Sequence, residues 1–291
     1  MIITKIIGGL GNQMFQYALG FSLAKKNNSI CKLDFSGFSS YKLHKYSLNH
    51  LNIHLDQATE SEINNLKNPP VSIKTKIKNK LGFSGRQLDP HHIVEKDFSF
   101  DQNILNLRGD YYLDGYWQSE KYFIDYQDLI RDEFKVKSNP DIVNNEYIDK
   151  IANCDSVSIH IRHGDYLTNK KTKSVHGVLP LEYYHKAIDI MEKQLQNPNY
   201  FVFSDDIEWA RTNIRKDIPI FFLDHNNAEN NYEDMRLMST CKCNIIANSS
   251  FSWWGAWLNN NPDKLVIAPQ KWFGENTKET KDLIPENWVR I

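Results

Sequence analysis

Over residues 156–162 apolar and polar positions alternate, Val157, Ile159 and Ile161 against Ser158, His160 and Arg162. A period of two predicts a strand and sets His160 and Arg162 on one face, one step apart. The run stops at His163-Gly164-Asp165, a turn-forming end. A short buried strand thus delivers a histidine and an arginine to its carboxyl mouth, with a carboxylate just beyond. In open α/β sheets ligands sit at that mouth. A permanently charged guanidinium with a rigid fork of donors suits a phosphate, so the pattern is the footprint of a nucleotide or sugar-nucleotide site.

The same reading along the chain gives strands at 2–7, 31–35 and 111–116, with a helix over 14–26 and, after Trp117-Gln118-Ser119-Glu120, another through about 134. Gly8-Gly9-Leu10-Gly11-Asn12-Gln13 forms a tight turn between the first strand and helix. Residues 56–86 are polar and poorly patterned, and 135–141, with Ser-Asn-Pro, is a junction. Beyond it strands are predicted at 156–162, 200–203, 218–222, 244–247 and 265–268. Helices are predicted at 181–196, from 208 onward, at 232–239, and around Trp253, Trp254 and Trp257. Strands alternating with helices imply parallel sheets covered on both faces. We read an α/β protein of two domains, 1–138 and 139–291.

Composition narrows this picture only slightly. The 291 residues are long enough for two domains of ordinary size, 41% are hydrophobic, and a net charge of −1 gives no general attraction to nucleic acid. Cys31, Cys154, Cys241 and Cys243 have neither zinc-finger spacing nor the density of a disulfide framework, and read as thiols in a reducing compartment. The amino terminus does not resemble a signal peptide, and no apolar run approaches the roughly 18 residues of a membrane span. The expected location is cytoplasmic.

Three predicted strands end in polar residues: His160 and Arg162, Asp205 and Asp206, and Ser249 and Ser250. The serines fall where a helix begins, and free N–H groups there bind phosphate; the plainer role for the serines and aspartates is helix capping. Gln13 stands where a dinucleotide-binding Gly-x-Gly-x-x-Gly turn needs its third glycine, and no Gly-Lys-Ser/Thr follows, which argues against a dinucleotide oxidoreductase or a P-loop enzyme. There is no Asp-x-Asp for a metal-bridged diphosphate and no Gly-x-Ser-x-Gly.

Four motifs occur in order: Gly8-Gly9-Leu10-Gly11-Asn12-Gln13-Met14-Phe15-Gln16-Tyr17, His160-Ile161-Arg162-His163-Gly164-Asp165-Tyr166, Phe203-Ser204-Asp205-Asp206, and Asn248-Ser249-Ser250-Phe251-Ser252-Trp253-Trp254-Gly255-Ala256-Trp257-Leu258. Together they resemble the bacterial α-1,2-fucosyltransferases of glycosyltransferase family 11 over nearly the whole chain. The resemblance implies a GT-B fold, two Rossmann-like domains facing across a cleft, with the acceptor on the amino-terminal side. It also implies metal-independent, inverting transfer from GDP-β-L-fucose to the 2-hydroxyl of a galactose-terminated glycan, with no cofactor. Carried over by position, His160 meets the guanine–ribose part of the donor and Arg162 neutralises the β-phosphate. Asp205 or Asp206 holds the guanine edge, and Ser249 and Ser250 hold the diphosphate, flanked by Asn248 and Phe251. Gly11, Asn12 and Gln13 lie near the fucose or acceptor.

His163 departs from the family's His-x-Arg-Arg-x-Asp-Tyr pattern, and His-Ile-Arg-His-Gly resembles the α-1,6-fucosyltransferases instead; His163 is still expected among the substrate-binding residues, with Arg162 as the main phosphate cation. The α-1,6 or other regiochemistry is therefore the nearest alternative, and a non-catalytic glycan-binding protein is an alternative of a different class. We expect Arg162 to stabilise the leaving group and Asp165 to act as base, the alternative for Asp165 being a turn cap or an orienting partner of Arg162. We expect the three tryptophans to pack between helix and sheet, and Tyr116 or Trp117 to meet the acceptor, whose identity loops 56–90 and 167–179 would set. Lys67, Lys74, Lys76, Lys78 and Lys80, with Ile73, Ile77 and Leu81, form a basic stretch. It reads as a solvated face or, alternatively, as a peripheral contact with the inner face of a membrane.

Overall fold

Two all-parallel sheets organise the chain in the computed structural model, which describes residues 1–54, 56–68, 91–164, 177–215, 217–274 and 279–291. Packing separates a first unit, Met1–Asn49 with Ile53–Phe134, from a second, His50–Asn52 with Lys135–Ile291. The break thus falls at Phe134/Lys135 rather than at 138/139. His50–Asn52 joins the second unit because Leu51 bridges Val136, the Asn52 N–H donates to the Lys135 carbonyl (2.8 Å), and the Lys137 N–H donates to that of His50 (2.9 Å).

The first unit contains β1 (Ile2–Lys5), α1 (Leu10–Lys26), β2 (Cys31–Asp34), α2 (Glu60–Lys67), β3 (His92–Val94), β4 (Tyr111–Asp114) and α3 (Gln127–Glu133). Its sheet order is β2-β1-β4-β3. From Leu10 to Ala24 every residue of α1 except Asn12 is buried, so this helix has no polar stripe and acts as a core element. Gly20 lets α1 lie close on the sheet: a Cβ there would come 2.8 Å from the Thr4 methyl and 3.2 Å from the Cys31 sulfur.

Two expectations for this unit change. Within the stretch read as unpatterned lies α2, which Thr59 and Glu62 start with a capping box. The predicted helix after β4 is broken into turns at Glu120–Tyr122 and Ile124–Tyr126 before α3, because Ser119 caps the first turn and Phe123, at φ −141° and ψ 3°, lies outside helical geometry.

The second unit runs α4 (Ile142–Ala152), β5 (Asp155–Ile161), α5 (Leu181–Gln194), β6 (Pro198–Ser204), α6 (Ile207–Asn213), β7 (Ile220–Leu223), α7 (Asn231–Thr240), β8 (Cys243–Ile245), α8 (Ser250–Leu258), β9 (Val266–Ala268) and β10 (Val289–Arg290). The predicted strands and helices appear with shifted ends; α4 and the two-residue β10 are additions. The apolar residues opening α4 face solvent, Ile142 being 80% exposed, which hides its period from the sequence.

On one face of β5, Val157, Ile159 and Ile161 pack with Tyr184, Ala187, Ile188 and Met191 of α5. The alternate positions Ser158 and His160 are buried too, and Asn244 donates to the Ser158 hydroxyl (2.7 Å). The sheet order, β10-β9-β8-β5-β6-β7, has a consequence for function. The chain moves outward from β5 through β6 to β7, then returns to β8 on the other side of β5. The boundary between β5 and β8 is a topological switch point, the place where open α/β sheets bind ligands at their carboxyl edge. Two Rossmann-like units of this kind constitute the GT-B fold class.

Candidate active site

The β5–β6 register pairs Ile161 with Ser204, so Arg162 and Asp205 leave the sheet side by side. Arg162 Nε lies 3.3 Å from Asp205 Oδ2, and the His163 backbone N–H donates to Asp205 Oδ1 (2.8 Å). The His163 ring meets Asp206 Oδ2 through Nδ1 (2.8 Å) and stacks on Trp209, with centroids 4.1 Å apart and planes 19° from parallel. Asp206 also caps α6 by accepting from the Trp209 N–H (3.2 Å). The adjacent aspartates therefore divide their work: Asp205 orients an arginine, and Asp206 starts a helix and holds a histidine.

Across the switch point, Ser249 caps α8 by accepting from the Phe251 N–H (3.3 Å), leaving Ser250 partly exposed in the helix's first turn. Asn248 is buried, donating to the carbonyls of Trp272 (3.1 Å) and Gly177 (3.3 Å), so its amide fixes the approach to α8. The Phe251 ring centroid lies 5.6 Å from that of His160. His160 is 4% exposed, and its Nδ1 has no hydrogen-bond partner among the described residues. Burial, reinforced by the Arg162 charge, pushes its pKa down to about 3, so the imidazole is neutral at ordinary pH. A buried ring nitrogen without a partner costs about 1–3 kcal/mol, which a ligand donor or acceptor at this edge would recover. His160, Arg162, Asp205, Asp206, Asn248, Ser249, Ser250 and Phe251 thus gather along one sheet edge.

The Gly-rich turn belongs to the first unit. Gly8 has φ +90°, which favours glycine, and Gly11 is buried in the first turn of α1. Gln13 is fully buried, with its amide donating to the carbonyls of Gly8 (2.8 Å) and Lys45 (2.9 Å) and its Oε1 accepting from the Ser47 N–H (2.9 Å). This side chain pins the 45–47 loop to the turn and is spent on structure. Asn12, partly exposed, accepts from Gln118 (2.8 Å).

Asp34 ends β2 where a dinucleotide fold places its ribose-binding acid. Here it is 5% exposed and accepts from the Tyr112 hydroxyl (2.7 Å) and from Ser36 (hydroxyl, 2.6 Å). This occupied carboxylate adds a second argument against a dinucleotide site.

Of the two aromatics expected at an acceptor, Tyr116 is 39% exposed, but Trp117 is buried against Tyr122. Trp117 sits at φ +57°, held there by Glu95, whose carboxylate accepts from the N–H groups of Tyr116 (2.6 Å) and Trp117 (2.9 Å). Trp253, Trp254 and Trp257 pack in the core as expected, with Trp253 Nε1 donating to the Leu283 carbonyl (2.9 Å). Asp165 lies outside the described residues, as does the basic stretch from Ile73 to Leu81. Among the described residues no cluster of three His, Cys, Asp or Glu could hold a metal ion, and no helix is long and apolar enough to cross a membrane.

Residues 89–291 match the family model described as Glycosyl transferase family 11. The chain is 36% identical to an alpha-1,2-colitosyltransferase of Escherichia coli, an alignment covering 100% of this chain and 99% of that protein. It is 35% identical to the O-antigen biosynthesis glycosyltransferase WbnK of Escherichia coli, over 98% of each. Among solved structures, the NodZ alpha-1,6-fucosyltransferase co-crystallised with GDP is similar in fold, with a TM-score of 0.50 at 14% identity over 87% of this chain and 90% of that one. With the match spanning residues 89–291 and full-length relatives at these identities, the chain belongs to glycosyl transferase family 11.

Proposed function

We propose that the protein transfers L-fucose from GDP-β-L-fucose to the 2-hydroxyl of a terminal galactose in a glycan, with inversion and without a metal. The observation that carries this reading is the placement of Arg162, His160 and the start of α8 around one switch point. Positive charge and N–H donors converge where a diphosphate would lie.

In the proposed reaction the acceptor oxygen attacks the anomeric carbon on the face opposite GDP. The bond from that carbon to the β-phosphate oxygen breaks, and its electron pair leaves with GDP. Arg162, oriented through Nε by Asp205, neutralises the charge that develops on the leaving phosphate. Ser249 and Ser250, with the N–H groups opening α8, hold the diphosphate. Neutral His160 and the Phe251 ring contact the nucleoside part, while Asp205 and Asp206, expected at the guanine edge, act here through Arg162 and His163. Asp165, next after Gly164 in sequence, takes the acceptor proton. These cationic and N–H groups supply the charge stabilisation that a metal gives in other nucleotide-sugar enzymes, so activity in EDTA is part of the proposal. In the first unit, Asn12 and Tyr116 are the residues offered to the acceptor. The proposed site of action is the cytoplasm or the inner membrane face, which flotation with anionic vesicles tests.

A second reading has its own support: the 36% identical relative is an alpha-1,2-colitosyltransferase. Colitose is fucose without its 3-hydroxyl, so the same phosphate machinery serves either sugar. Competition between the two GDP-sugars on a galactoside separates the readings. A higher kcat/KM for the fucose donor supports the first, and a preference for the colitose donor replaces it with the second.

A further inference from the structure

We infer that His163 is a positioning residue for Arg162, acting through the two aspartates that follow β6, and not a donor contact. The inference rests on the proposed role of Arg162 at the leaving phosphate.

His163 touches both aspartates, Asp205 through its backbone and Asp206 through its ring. Its backbone N–H and the Arg162 Nε engage the two oxygens of one carboxylate, that of Asp205. Asp205 therefore reads the position of both residues at once. The His163 ring is fixed twice, by Asp206 through Nδ1 and by the face of Trp209. Asp206 is itself immobilised as the cap of α6, hydrogen-bonded to the N–H of that same Trp209. His163, Asp206 and Trp209 thus close a ring of contacts that ties the end of β5 to the start of α6. Gly164 allows the close approach this requires, since a Cβ there would lie 3.3 Å from the Asp205 carbonyl oxygen. His163 is 9% exposed, with Nδ1 directed at Asp206 and its face covered by indole. Residues spent in this way fix geometry, and a guanidinium misplaced by about 1 Å can cost about 10²-fold in rate.

Two single variants separate the ring's contacts. His163→Asn keeps a donor where Nδ1 stands and loses the stack, whereas His163→Phe keeps the stack and loses the donor. The inference expects His163→Ala to lower kcat at least tenfold with the KM for GDP-fucose changed less than threefold, and His163→Asn to recover most of that loss. Asp206→Asn should lower kcat similarly. In an Arg162→Lys background His163→Ala should cost little more, because a residue that acts through Arg162 loses its effect when Arg162 is gone.

A readout independent of turnover keeps the test separate from the proposed reaction. Exchange of the Arg162 Nε–H with water, followed by NMR on folded protein without ligand, should accelerate several-fold in His163→Ala and Asp206→Asn. Unchanged exchange, or additive kcat effects in the double variant, would overturn the inference even if the wild type is fully active. A fall in GDP-fucose affinity with kcat preserved would also overturn it and make His163 a donor contact. Wild-type inactivity on every nucleotide sugar, with exchange responding as expected, would instead remove the proposed function and leave His163 as the residue that sets Arg162.

Discussion

Arg162 and Asp205 meet at 3.3 Å, joining the carboxyl ends of two adjacent parallel strands. The contact orients the guanidinium through Nε. Replacing Arg162 by alanine should lower kcat by about 10²–10³-fold, the loss typical when one pre-aimed donor is removed. Arg162→Lys should recover little, because an ammonium offers neither the plane nor the Nε contact. Steady-state kinetics checks both, and retention of activity within tenfold would remove Arg162 from its role.

Asp165→Asn should cost about 10²–10⁴-fold in kcat if this carboxylate takes the acceptor proton. A loss below tenfold would mean that the transition state needs little base, and that Asp165 caps a turn or orients Arg162. The pH dependence of kcat in wild type and variant is the deciding measurement: the acidic limb should disappear with the carboxylate.

His160 carries a definite pH consequence. Its folded pKa is about 3 against an ordinary 6.5, so the folded chain keeps a neutral ring that the unfolded chain protonates. Stability from this residue is complete above pH 6.5 and falls as pH drops toward 3, with a slope of about 1.4 kcal/mol per pH unit at most. Urea unfolding from pH 7.5 to 4.5 should show that slope, and His160→Gln should flatten it. The same shift predicts that His160 contributes no limb near pH 6.5 to the rate profile.

Gln13 should behave as a structural residue. Removing its amide strands the Gly8 and Lys45 carbonyls and the Ser47 N–H. Gln13→Ala should therefore destabilise by about 1–3 kcal/mol, read by denaturant titration, while the affinity of the second unit for GDP stays within twofold. A stable variant with lost acceptor affinity would contradict this and return Gln13 to the binding surface.

Much of the second unit was legible because its strands are apolar runs closed by turn residues. The 156–162 pattern located β5, and the polar residues expected at the ends of β5, β6 and β8 lie along one edge of the sheet. What alternation could not show is that Ser158 and His160 are buried, since a polar position reads as wet until a neighbour such as Asn244 covers it. Spacing likewise could not separate Asp205 from Asp206: their roles diverge only through the β5–β6 register. Asn248 and Gln13 sit in recognisable motifs, yet their amides are engaged by backbone carbonyls that include Lys45, Gly177 and Trp272, outside those motifs. The first unit was harder. Glu95 was missed because its partners are the main-chain N–H groups of a left-handed turn at Trp117, and no side-chain pattern marks such a contact. α4 was hidden by its outward-facing Ile142 and Val143.

The central claim is tested most directly by incubating the protein with GDP-β-L-fucose and a β-galactoside in EDTA, measuring GDP release and reading the product linkage by NMR. The account predicts GDP release matched by an α-1,2-fucosyl galactoside, undiminished by the chelator. Failure to turn over, restoration only by added divalent metal, or a product of different linkage or anomeric configuration would contradict it.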